Sequence, residues 1–268
     1  MVRVDIALAE AGLARSRNQA AALVESNRVF INGRAARKAS QDVPEGAKLV
    51  VLDAVDYVSR AGHKLAKALD KFGGIDVTGK QALDVGASTG GFTDVLLRRG
   101  AEHVVAIDVG HDQIVPELRT NPRVTSIEGY NARELSPESL KSVLGRPAPK
   151  FEIVVADLSF ISLTLVLDGM VSVAPNADYV LLVKPQFEAG KTSLNAHGIV
   201  TDHRARAAAI EQVALHAEKL GLKIVDMVKS ELPGTHGNIE YVLWMSTKQG
   251  KYLSQWNERV AALTKESK

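Results

Sequence analysis

The chain opens with apolar residues at helical spacing, separated by a short polar break. The first apolar stretch carries Val4, Leu8 and Leu13, and the second carries Ala20, Leu23 and Val24. Ser16 precedes the second stretch, and a serine hydroxyl at that position can cap a helix by accepting a backbone N–H bond. The spacing therefore predicts two short helices.

A small β unit is predicted after these helices. Val29–Ile31 is a short run of strand-forming residues, and Asn32-Gly33 is typical of a tight hairpin turn. After a second turn-like stretch, residues 48–52 are predicted to form a closing strand. We expect this α+β module to occupy residues 1–53.

From about residue 60 the pattern changes to alternating helices and strands. Apolar residues at helical spacing predict a helix over Arg60 to Phe72. Five short segments with strand-forming residues then predict strands, with helices between them, at 81–85, 103–108, 124–128, 153–157 and 179–183. Such alternation is typical of a mostly parallel sheet with helices on its faces. We expect this α/β domain over residues 61–268, after a linker at 54–60.

The last two predicted strands, at 223–229 and 239–246, are joined by a short connection that contains Pro233, Gly234 and Gly237. This connection is too short for the crossover helix that parallel strands need, so an antiparallel hairpin is predicted. The sheet is therefore seven-stranded and mostly parallel, with a terminal hairpin, which resembles the Rossmann-like fold of class I methyltransferases. The chain then ends in a predicted helix with one apolar face, formed by Leu253, Trp256, Val260 and Leu263.

Composition narrows the classes of protein that the chain can be. Its 268 residues are 46% hydrophobic, include no cysteine and carry a net charge of +2. The lack of cysteine excludes disulfides, thiolate zinc sites and a cysteine nucleophile. The histidines have no metal-ligand spacing, so no metal is expected. Without a signal peptide or a run of ~18 apolar residues, we expect a cytoplasmic protein with no stable membrane association. The sequence indicates no particular oligomeric state.

Basic residues are concentrated in the first module. Between Arg15 and Lys38 the chain carries six basic residues and one acidic residue, Glu25. Such an excess suits an RNA phosphate backbone, although an isolated charge run is more often a solvated helix face. The pattern of Arg3-Val4-Asp5 with the segments 12–20 and 27–33 resembles the S4 RNA-binding module. The resemblance implies RNA contacts, for which the candidates are Arg3, Arg15, Arg17, Arg28, Arg34 and Lys38.

The loop after the first strand of the second domain is rich in glycine. Its sequence is Asp84-Val85-Gly86-Ala87-Ser88-Thr89-Gly90-Gly91-Phe92. Glycines let the backbone turn sharply and let a ligand approach closely. A dinucleotide-binding turn or a plain tight turn would also use glycines, but the spacing lacks the dinucleotide fingerprint and no lysine follows to make a phosphate loop. Pyrophosphate ligands are therefore disfavoured.

Acidic residues near two strand ends indicate what the loop binds. Asp84 can face a cationic or hydrogen-bond-donating ligand, and Asp108 can face a ribose diol, although Asp108 could instead cap a helix. S-adenosylmethionine offers those groups and no phosphate. The order Asp-x-Gly-x-x-x-Gly, then a strand-end Asp, is similar to the motif series of class I methyltransferases. This similarity implies S-adenosylmethionine as cofactor, with candidate contacts from Asp84, Gly86, Ala87, Ser88, Thr89, Gly90, Gly91, Phe92, Asp108 and Asp157.

Two further charged residues follow apolar strands. Asp157 follows Ile153–Ala156 and Lys184 follows Val180–Val183, so both are expected at the carboxyl edge of the sheet. Desolvation there can keep a lysine neutral, and Pro185 forces an extended continuation of the chain. Methyl transfer to a ribose 2′-hydroxyl needs a base at neutral pH. Lys184 is the candidate base, and Asp157 is the candidate carboxylate that orients it.

Lys64 and Glu240 are the remaining catalytic candidates. Taken alone, Lys64 could be an exposed helix lysine and Glu240 an outward-facing strand residue. Together with Asp157 and Lys184 they follow the order of the Lys-Asp-Lys-Glu tetrad and resemble that of the FtsJ-like 2′-O-methyltransferases. The resemblance implies that all four residues are catalytic.

Motifs along nearly the whole chain resemble those of the TlyA family. Besides the S4-like start and the glycine-rich loop, they are Ser-Arg-Ala-Gly-His-Lys-Leu at 59–65, Ala-Asp-Leu-Ser-Phe-Ile-Ser at 156–162, Val-Lys-Pro-Gln-Phe-Glu at 183–188 and Gly-Asn-Ile-Glu-Tyr at 237–241. The resemblance implies a ribosomal RNA (cytidine-2′-O)-methyltransferase that acts on ribosomal subunits and influences sensitivity to capreomycin-type antibiotics. The family's historical name is hemolysin.

The linker departs from the pattern of some family members, and the tail resembles that of one subtype. Mycobacterial members carry Arg-x-Trp-Val in the linker, whereas this chain has Val55-Asp56-Tyr57-Val58, in which the basic residue is absent and Tyr57 takes the aromatic position. The tail after residue 250 resembles that of a longer subtype that acts on both ribosomal subunits. We therefore hypothesise that this chain modifies both 16S and 23S rRNA.

Two other functions are alternatives at this level. A membrane-acting cytolysin, suggested by the historical name, would need an apolar or amphipathic insertion segment, and the sequence has none that we recognise. A non-enzymatic ribosome-binding assembly factor would keep the fold and bind ribosomal RNA without transferring a methyl group.

Overall fold

A computed structural model describes residues 2–26, 28–51 and 57–265 of the chain. The contacts between residues divide the chain into two compact units, Met1–Asp56 and Tyr57–Lys268. The domain boundaries expected from the sequence, 1–53, 54–60 and 61–268, stay predictions, because residues 52–56 lie outside the described part.

The first unit consists of two helices and two small sheets. Its helices are α1 (Val4–Glu10) and α2 (Arg17–Glu25), and its strands are β1 (Val2–Arg3), β2 (Val29–Ile31), β3 (Arg34–Ala35), β4 (Asp42–Val43) and β5 (Leu49–Val51). Ser16 caps α2, as predicted, because its side chain accepts a hydrogen bond from Gln19 N at 3.2 Å. Asn32 and Gly33, with φ of 49° and 77°, form the tight turn between β2 and β3. The pairing of β1 with β4 was not predicted.

One core holds this unit together. Residues of both predicted apolar stripes lie in it, together with β2: Val4, Leu8, Ala20, Leu23, Val24, Val29 and Ile31. Leu13 is the exception, since α1 ends at Glu10 and Leu13 is exposed. Its assignment to the first helix was wrong because Gly12, with φ of 67°, turns the chain before it.

The second unit is built on a seven-stranded sheet. Its strands are β6 (Gln81–Val85), β7 (His103–Asp108), β8 (Val124–Glu128), β9 (Ile153–Ala156), β10 (Asp178–Val183), β11 (Lys223–Lys229) and β12 (Tyr241–Ser246). The order across the sheet is β11-β12-β10-β9-β6-β7-β8. The first five strands pair in parallel, and β12 pairs antiparallel with both β11 and β10. The predicted α/β fold with a terminal antiparallel hairpin is confirmed.

Helices cover both faces of this sheet. They are α3 (Arg60–Phe72), α4 (Gly91–Arg98), α5 (Pro116–Arg119), α6 (Pro137–Leu144), α7 (Leu167–Val173), α8 (Pro185–Glu188), α9 (His203–Lys219) and α10 (Asn257–Lys265). Side chains alternate across a strand. In β9, Ile153 and Val155 therefore pack in the core that contains α3 and α4, whereas Val154 and Ala156 pack in the core that contains α9 and α10.

The C-terminal helix belongs to the second of these cores. Leu253, Val260 and Leu263 are buried and Trp256 packs against them, as predicted, but α10 begins only at Asn257, so Leu253 and Trp256 precede the helix. Arg206 of α9 is also buried, and its guanidinium donates hydrogen bonds to the backbone oxygens of Val200, Thr201 and Thr264. This side chain ties α10 to the segment that precedes α9.

Candidate active site

The parallel strands bring four predicted site residues to one edge of the sheet. Asp84 lies one residue before the end of β6, Asp108 ends β7, and Asp157 and Lys184 directly follow β9 and β10. β6 lies between β7 and β9, and β9 pairs with β10. Side chains at these strand ends are therefore close to one another, as the α/β pattern predicted.

The glycine-rich loop turns from β6 into α4 at this edge. Gly86 and Gly90 have φ of +85° and +96°, which glycine adopts without strain. A Cβ at Gly86 would lie 2.9 Å from the backbone oxygen of Asp157, and one at Gly90 would lie 2.3 Å from Leu118 Cδ1. The two glycines thus let the loop pass close to its neighbours. Of the other predicted cofactor residues, Ala87 and Phe92 are buried in the core around α4.

Asp84 is fully buried beneath the loop. Its Oδ2 accepts a hydrogen bond from Thr93 Oγ1 at 2.6 Å, and its Oδ1 has no hydrogen-bond partner within the described chain. Burial raises the pKa of the carboxyl to about 7, opposed by the Thr93 bond and increased by the charges of Asp157 and Asp108. Asp84 therefore leaves an unused acceptor that suits a hydrogen-bond-donating or cationic ligand.

Asp108 braces the loop from the neighbouring strand. Its Oδ2 accepts a hydrogen bond from Ser88 N at 2.8 Å, and its Oδ1 accepts one from Gly110 N at 2.7 Å. The next helix, α5, begins only at Pro116, with Val115 in the cap position. The alternative of Asp108 as a helix cap is therefore wrong.

Lys184 forms an ion pair across the sheet edge. Its Nζ lies 2.6 Å from Asp157 Oδ1 and donates a hydrogen bond to Ser159 Oγ at 2.9 Å. The side chains of Lys184 and Asp157 are 10% and 14% exposed, so water screens the pair weakly. Asp157 Oδ1 has no hydrogen-bond partner among the described residues, so its contact with Lys184 is an ion pair alone. Ser159 was not predicted as a site residue.

Lys64 and Glu240 form a second buried ion pair. Lys64 Nζ, on α3, lies 2.5 Å from Glu240 Oε2, and the two side chains are 10% and 2% exposed. Gln186 Nε2 donates to the other oxygen, Glu240 Oε1, at 3.3 Å. Glu240 precedes β12 and does not lie within a strand, contrary to the predicted span 239–246. Neither residue is exposed, so both simpler interpretations, a solvent-exposed helix lysine and an outward-facing strand glutamate, are wrong.

Sequence reasoning missed two acidic residues that hold loops at this edge. Glu128 ends β8 and accepts hydrogen bonds from the backbone N–H groups of residues 112–114, which lower the pKa of its carboxyl. Glu188 ends α8 and accepts hydrogen bonds from Ser162 Oγ and Leu163 N. The position of Glu128 at a strand end could have been noticed, since the same signal indicated Asp108. Nothing in the local pattern distinguishes Glu188.

The basic candidates of the first unit are mostly exposed, and one acidic residue joins two of them. Asp5 is buried, and its carboxylate accepts hydrogen bonds from Arg3 at 3.0 and 3.1 Å and from Arg17 at 3.2 and 3.4 Å. Desolvation alone would raise the pKa of Asp5, but the two arginines hold it below its usual value. The other candidates are Arg15, Arg34 and Lys38, which are exposed, and Arg28, which is half-buried.

Comparisons with known proteins agree with this architecture. The FtsJ-like methyltransferase family profile matches residues 57–247, and the S4 domain profile matches residues 2–49. The chain is 47% identical over 255 residues to the 16S/23S rRNA (cytidine-2′-O)-methyltransferase TlyA of Mycobacterium tuberculosis, covering 94% of this chain and 92% of that protein. The chain belongs to the TlyA family of FtsJ-like methyltransferases.

Other relatives extend this family assignment. The chain is 35% identical to the 23S rRNA (cytidine-2′-O)-methyltransferase TlyA of Campylobacter jejuni, covering 84% of this chain and 92% of that protein. A solved structure named as a hemolysin from Streptococcus thermophilus superposes with a TM-score of 0.73 at 34% identity, covering 98% of this chain and 95% of that chain. The predicted family is confirmed.

The part of the TlyA linker motif that the structure describes packs against α3 and α4. The Tyr57 ring makes an edge contact with His63 at 5.0 Å, and the Arg98 guanidinium lies over it at 5.3 Å. Val58 N donates to Asp94 Oδ2 at 3.0 Å. Val55 and Asp56 lie outside the described residues.

The described residues contain neither a metal-binding cluster nor a membrane-spanning helix. Within residues 2–26, 28–51 and 57–265, no group of three or more histidine and acidic side chains could hold a metal ion. No helix in the same part of the chain is both long enough and apolar enough to cross a bilayer.

Proposed function

We propose that this protein transfers a methyl group from S-adenosylmethionine to the 2′-hydroxyl of a cytidine in ribosomal RNA. The observation that carries the proposal is the pair of buried ion pairs, Lys184–Asp157 and Lys64–Glu240, in one unit with the glycine-rich loop. Burying an ion pair costs desolvation free energy. The four residues of these two pairs match the family's tetrad by sequence position.

The residues around the loop fit the proposed cofactor. The buried Oδ1 of Asp84, which has no hydrogen-bond partner among the described residues, would accept a hydrogen bond from the cationic amine of S-adenosylmethionine, and Asp108 would face its ribose. Residues 86–91 would lie alongside the bound S-adenosylmethionine. When bound, S-adenosylmethionine supplies an electrophilic methyl group on a sulfonium.

Lys184 is the proposed base for the sugar hydroxyl. Once the Lys184 ammonium has released its proton, the amine would take the proton of the 2′-hydroxyl as that oxygen takes the methyl group, and Asp157 would stabilise the ammonium that re-forms. The hydrogen bond to Ser159 restricts where Nζ points. Lys64, held by Glu240, would donate a hydrogen bond that orients the sugar oxygen.

The names of the relatives support ribosomal RNA as substrate. The S4 unit would supply sequence-independent phosphate contacts through Arg3, Arg15 and Arg17, with Arg28, Arg34 and Lys38 as further candidates. We propose that both 16S and 23S rRNA are modified, because the M. tuberculosis relative is named for both and the helical tail is present here. Sensitivity to capreomycin-type antibiotics would then depend on the protein.

The proposal is tested by incubating the protein with tritiated S-adenosylmethionine and purified 30S or 50S subunits, then locating the modified sugar by mass spectrometry. We expect transfer to a cytidine in both subunits. Lys184→Met should reduce transfer by about 10²- to 10⁴-fold, the usual range for loss of a general base. Lys67→Met, which removes a half-exposed lysine of α3, is the control.

Each other outcome identifies a different error. Transfer to one subunit only would refute dual specificity. Ribosome binding without transfer by the unaltered protein would indicate an assembly factor, and leakage of liposomes on addition of the protein would support a cytolysin. Undiminished transfer by Lys184→Met would refute the assignment of the base.

A further inference from the structure

The short helix α8 contacts several parts of the site through successive side chains. Lys184, just before it, reaches Asp157 and Ser159, and Gln186 reaches Glu240. Phe187 packs against Phe160, with ring centroids 5.2 Å apart. Glu188, the last residue of α8, has no role in the proposed chemistry and is only 8% exposed.

The Glu188 carboxylate connects α8 to the segment that follows β9. Its Oε1 accepts a hydrogen bond from Leu163 N at 2.8 Å, and its Oε2 accepts one from Ser162 Oγ. The segment 158–163, which directly follows Asp157, is therefore attached to α8 at its far end, through Ser162 and Leu163. Ser159, the hydrogen-bond partner of Lys184, lies within this short segment.

The burial of Glu188 is energetically unfavourable for a carboxylate. No ion pair to it occurs in the described part of the chain, and burial raises the pKa of its carboxyl despite the two hydrogen bonds. An apolar side chain would avoid this cost but would leave Leu163 N, which is also buried, without an acceptor. The two hydrogen bonds are thus the compensating interaction, and their effect is to fix the segment 158–163.

We propose that Glu188 is a positioning residue for methyl transfer: it ties the segment 158–163 to α8, so that Asp157 and Ser159 stay aligned on the Lys184 amine. The inference rests on the proposed function for its effect on catalysis. The hydrogen bonds from Ser162 and Leu163 to Glu188 are present in the free protein, so they can be tested without substrate.

Glu188→Ala and Glu188→Gln separate positioning from a general loss of structure. Glu188→Ala removes both acceptors, and we expect kcat to fall about 10- to 100-fold, as a displacement of about 1 Å does. The KM values for S-adenosylmethionine and for the ribosomal subunit should change by less than about threefold. Glu188→Gln keeps an acceptor for Leu163 N and a polar partner for Ser162, so it should restore most of kcat. Glu138→Ala, on the exposed face of α6, is the control.

Hydrogen exchange of the free protein provides the second measurement. In Glu188→Ala, the amide of Leu163 should exchange at least about tenfold faster, while amides of the central strands keep their protection. Ser162→Ala, which removes one of the two bonds, should give a smaller increase. The exchange measurement tests the proposal even if Glu188→Ala folds poorly, because Ser162→Ala and Glu188→Gln perturb the same hydrogen bonds more mildly.

The results distinguish failure of this inference from failure of the proposed function. If the unaltered protein transfers no methyl group, the proposed function fails and the exchange data still test the tie. If Glu188→Ala is folded and keeps wild-type kcat, or if Leu163 exchange is unchanged, the inference is wrong while the methyltransferase proposal stands. A fall in kcat that Glu188→Gln does not restore would also contradict it.

Discussion

Lys64 and Glu240 are 176 positions apart in the sequence, yet their charged atoms lie 2.5 Å apart in a site closed to most water. One comes from the first helix of the second unit and the other from the residue before its last strand. Their ion pair therefore connects α3, near the start of the second unit, to the beginning of β12 at the candidate active site.

This pair should behave as a coupled unit in unfolding experiments. Lys64→Met or Glu240→Gln alone leaves one group buried without its partner, so we expect each to lower the free energy of unfolding by about 3–5 kcal/mol. The double variant should lose less than the sum of the two. Urea unfolding in a double-mutant cycle measures the coupling.

The exposed pair Lys67–Glu231 is the matched control for this cycle. Its side chains are 47% and 41% exposed, so the coupling between Lys67→Met and Glu231→Gln should stay below about 1 kcal/mol. Equal coupling energies in the two cycles would contradict the role of burial.

Asp84 should make the stability of the free protein depend on pH. Burial raises the pKa of its carboxyl from the ordinary value of 3.8, which applies to the unfolded chain, to about 7 in the folded protein. The folded state therefore binds the proton more tightly, and the resulting stabilisation is fully present below the lower value and lost as pH rises through the higher one. Asp84→Asn cannot ionise and lacks this dependence.

The measurement is the difference in unfolding free energy between wild type and Asp84→Asn, from about pH 4 to about pH 8. Other titrating groups largely cancel in this difference. We expect wild type to lose stability relative to the variant as pH rises. A difference that is flat across the range would show that Asp84 ionises normally.

Gly90 should tolerate no side chain. In Gly90→Ala the residue must keep a φ near +96°, and its Cβ would meet Leu118, so we expect a loss of about 2–4 kcal/mol and weaker binding of S-adenosylmethionine. Gly145→Ala is the control, since Gly145 also has a positive φ but nothing within 4 Å of a Cβ. That variant should lose only about 1–2 kcal/mol and keep the binding constant. Chemical denaturation and calorimetry measure both quantities, and equal effects on binding would refute the loop assignment.

Arg17 should contribute to RNA affinity through charge. Arg17→Ala is expected to weaken binding of a ribosomal RNA fragment and to reduce the slope of log K against log salt by about 1. Arg119→Ala in the other unit, where Arg119 also pairs with carboxylates, removes the same charge as a control. A loss of affinity that is equal at every salt concentration would argue against a phosphate contact.

Much of the fold could be predicted from local sequence. The strands at 81–85, 103–108, 124–128 and 223–229 have the predicted bounds, because each is a short run that contains several strand-forming or apolar residues and ends close to a turn residue. The short connection between the last two strands likewise limited them to an antiparallel hairpin. The positions of Asp108, Asp157 and Lys184 at strand ends followed from the same pattern.

Contacts between distant segments could not be predicted in this way. The pairing of β1 with β4 involves two residues on each side, which is too few for a periodic pattern. Nothing in the local sequence indicated that Asp5 and Glu188 are buried, since an acidic residue is usually exposed and each has a hydrogen-bond partner 12 or more positions away.

The sequence by itself determined the type of each major element and the residues that could carry the chemistry, because periodicity and turn chemistry act over a few neighbouring positions. The sequence also paired Lys184 with Asp157, but only the tertiary structure decided the other partnerships: Lys64 with Glu240, Ser159 with Lys184, and Arg3 and Arg17 with Asp5. Within the second unit, strand order and the packing of α3 and α8 set these distances. Within the first, the packing of α1 against α2 does so.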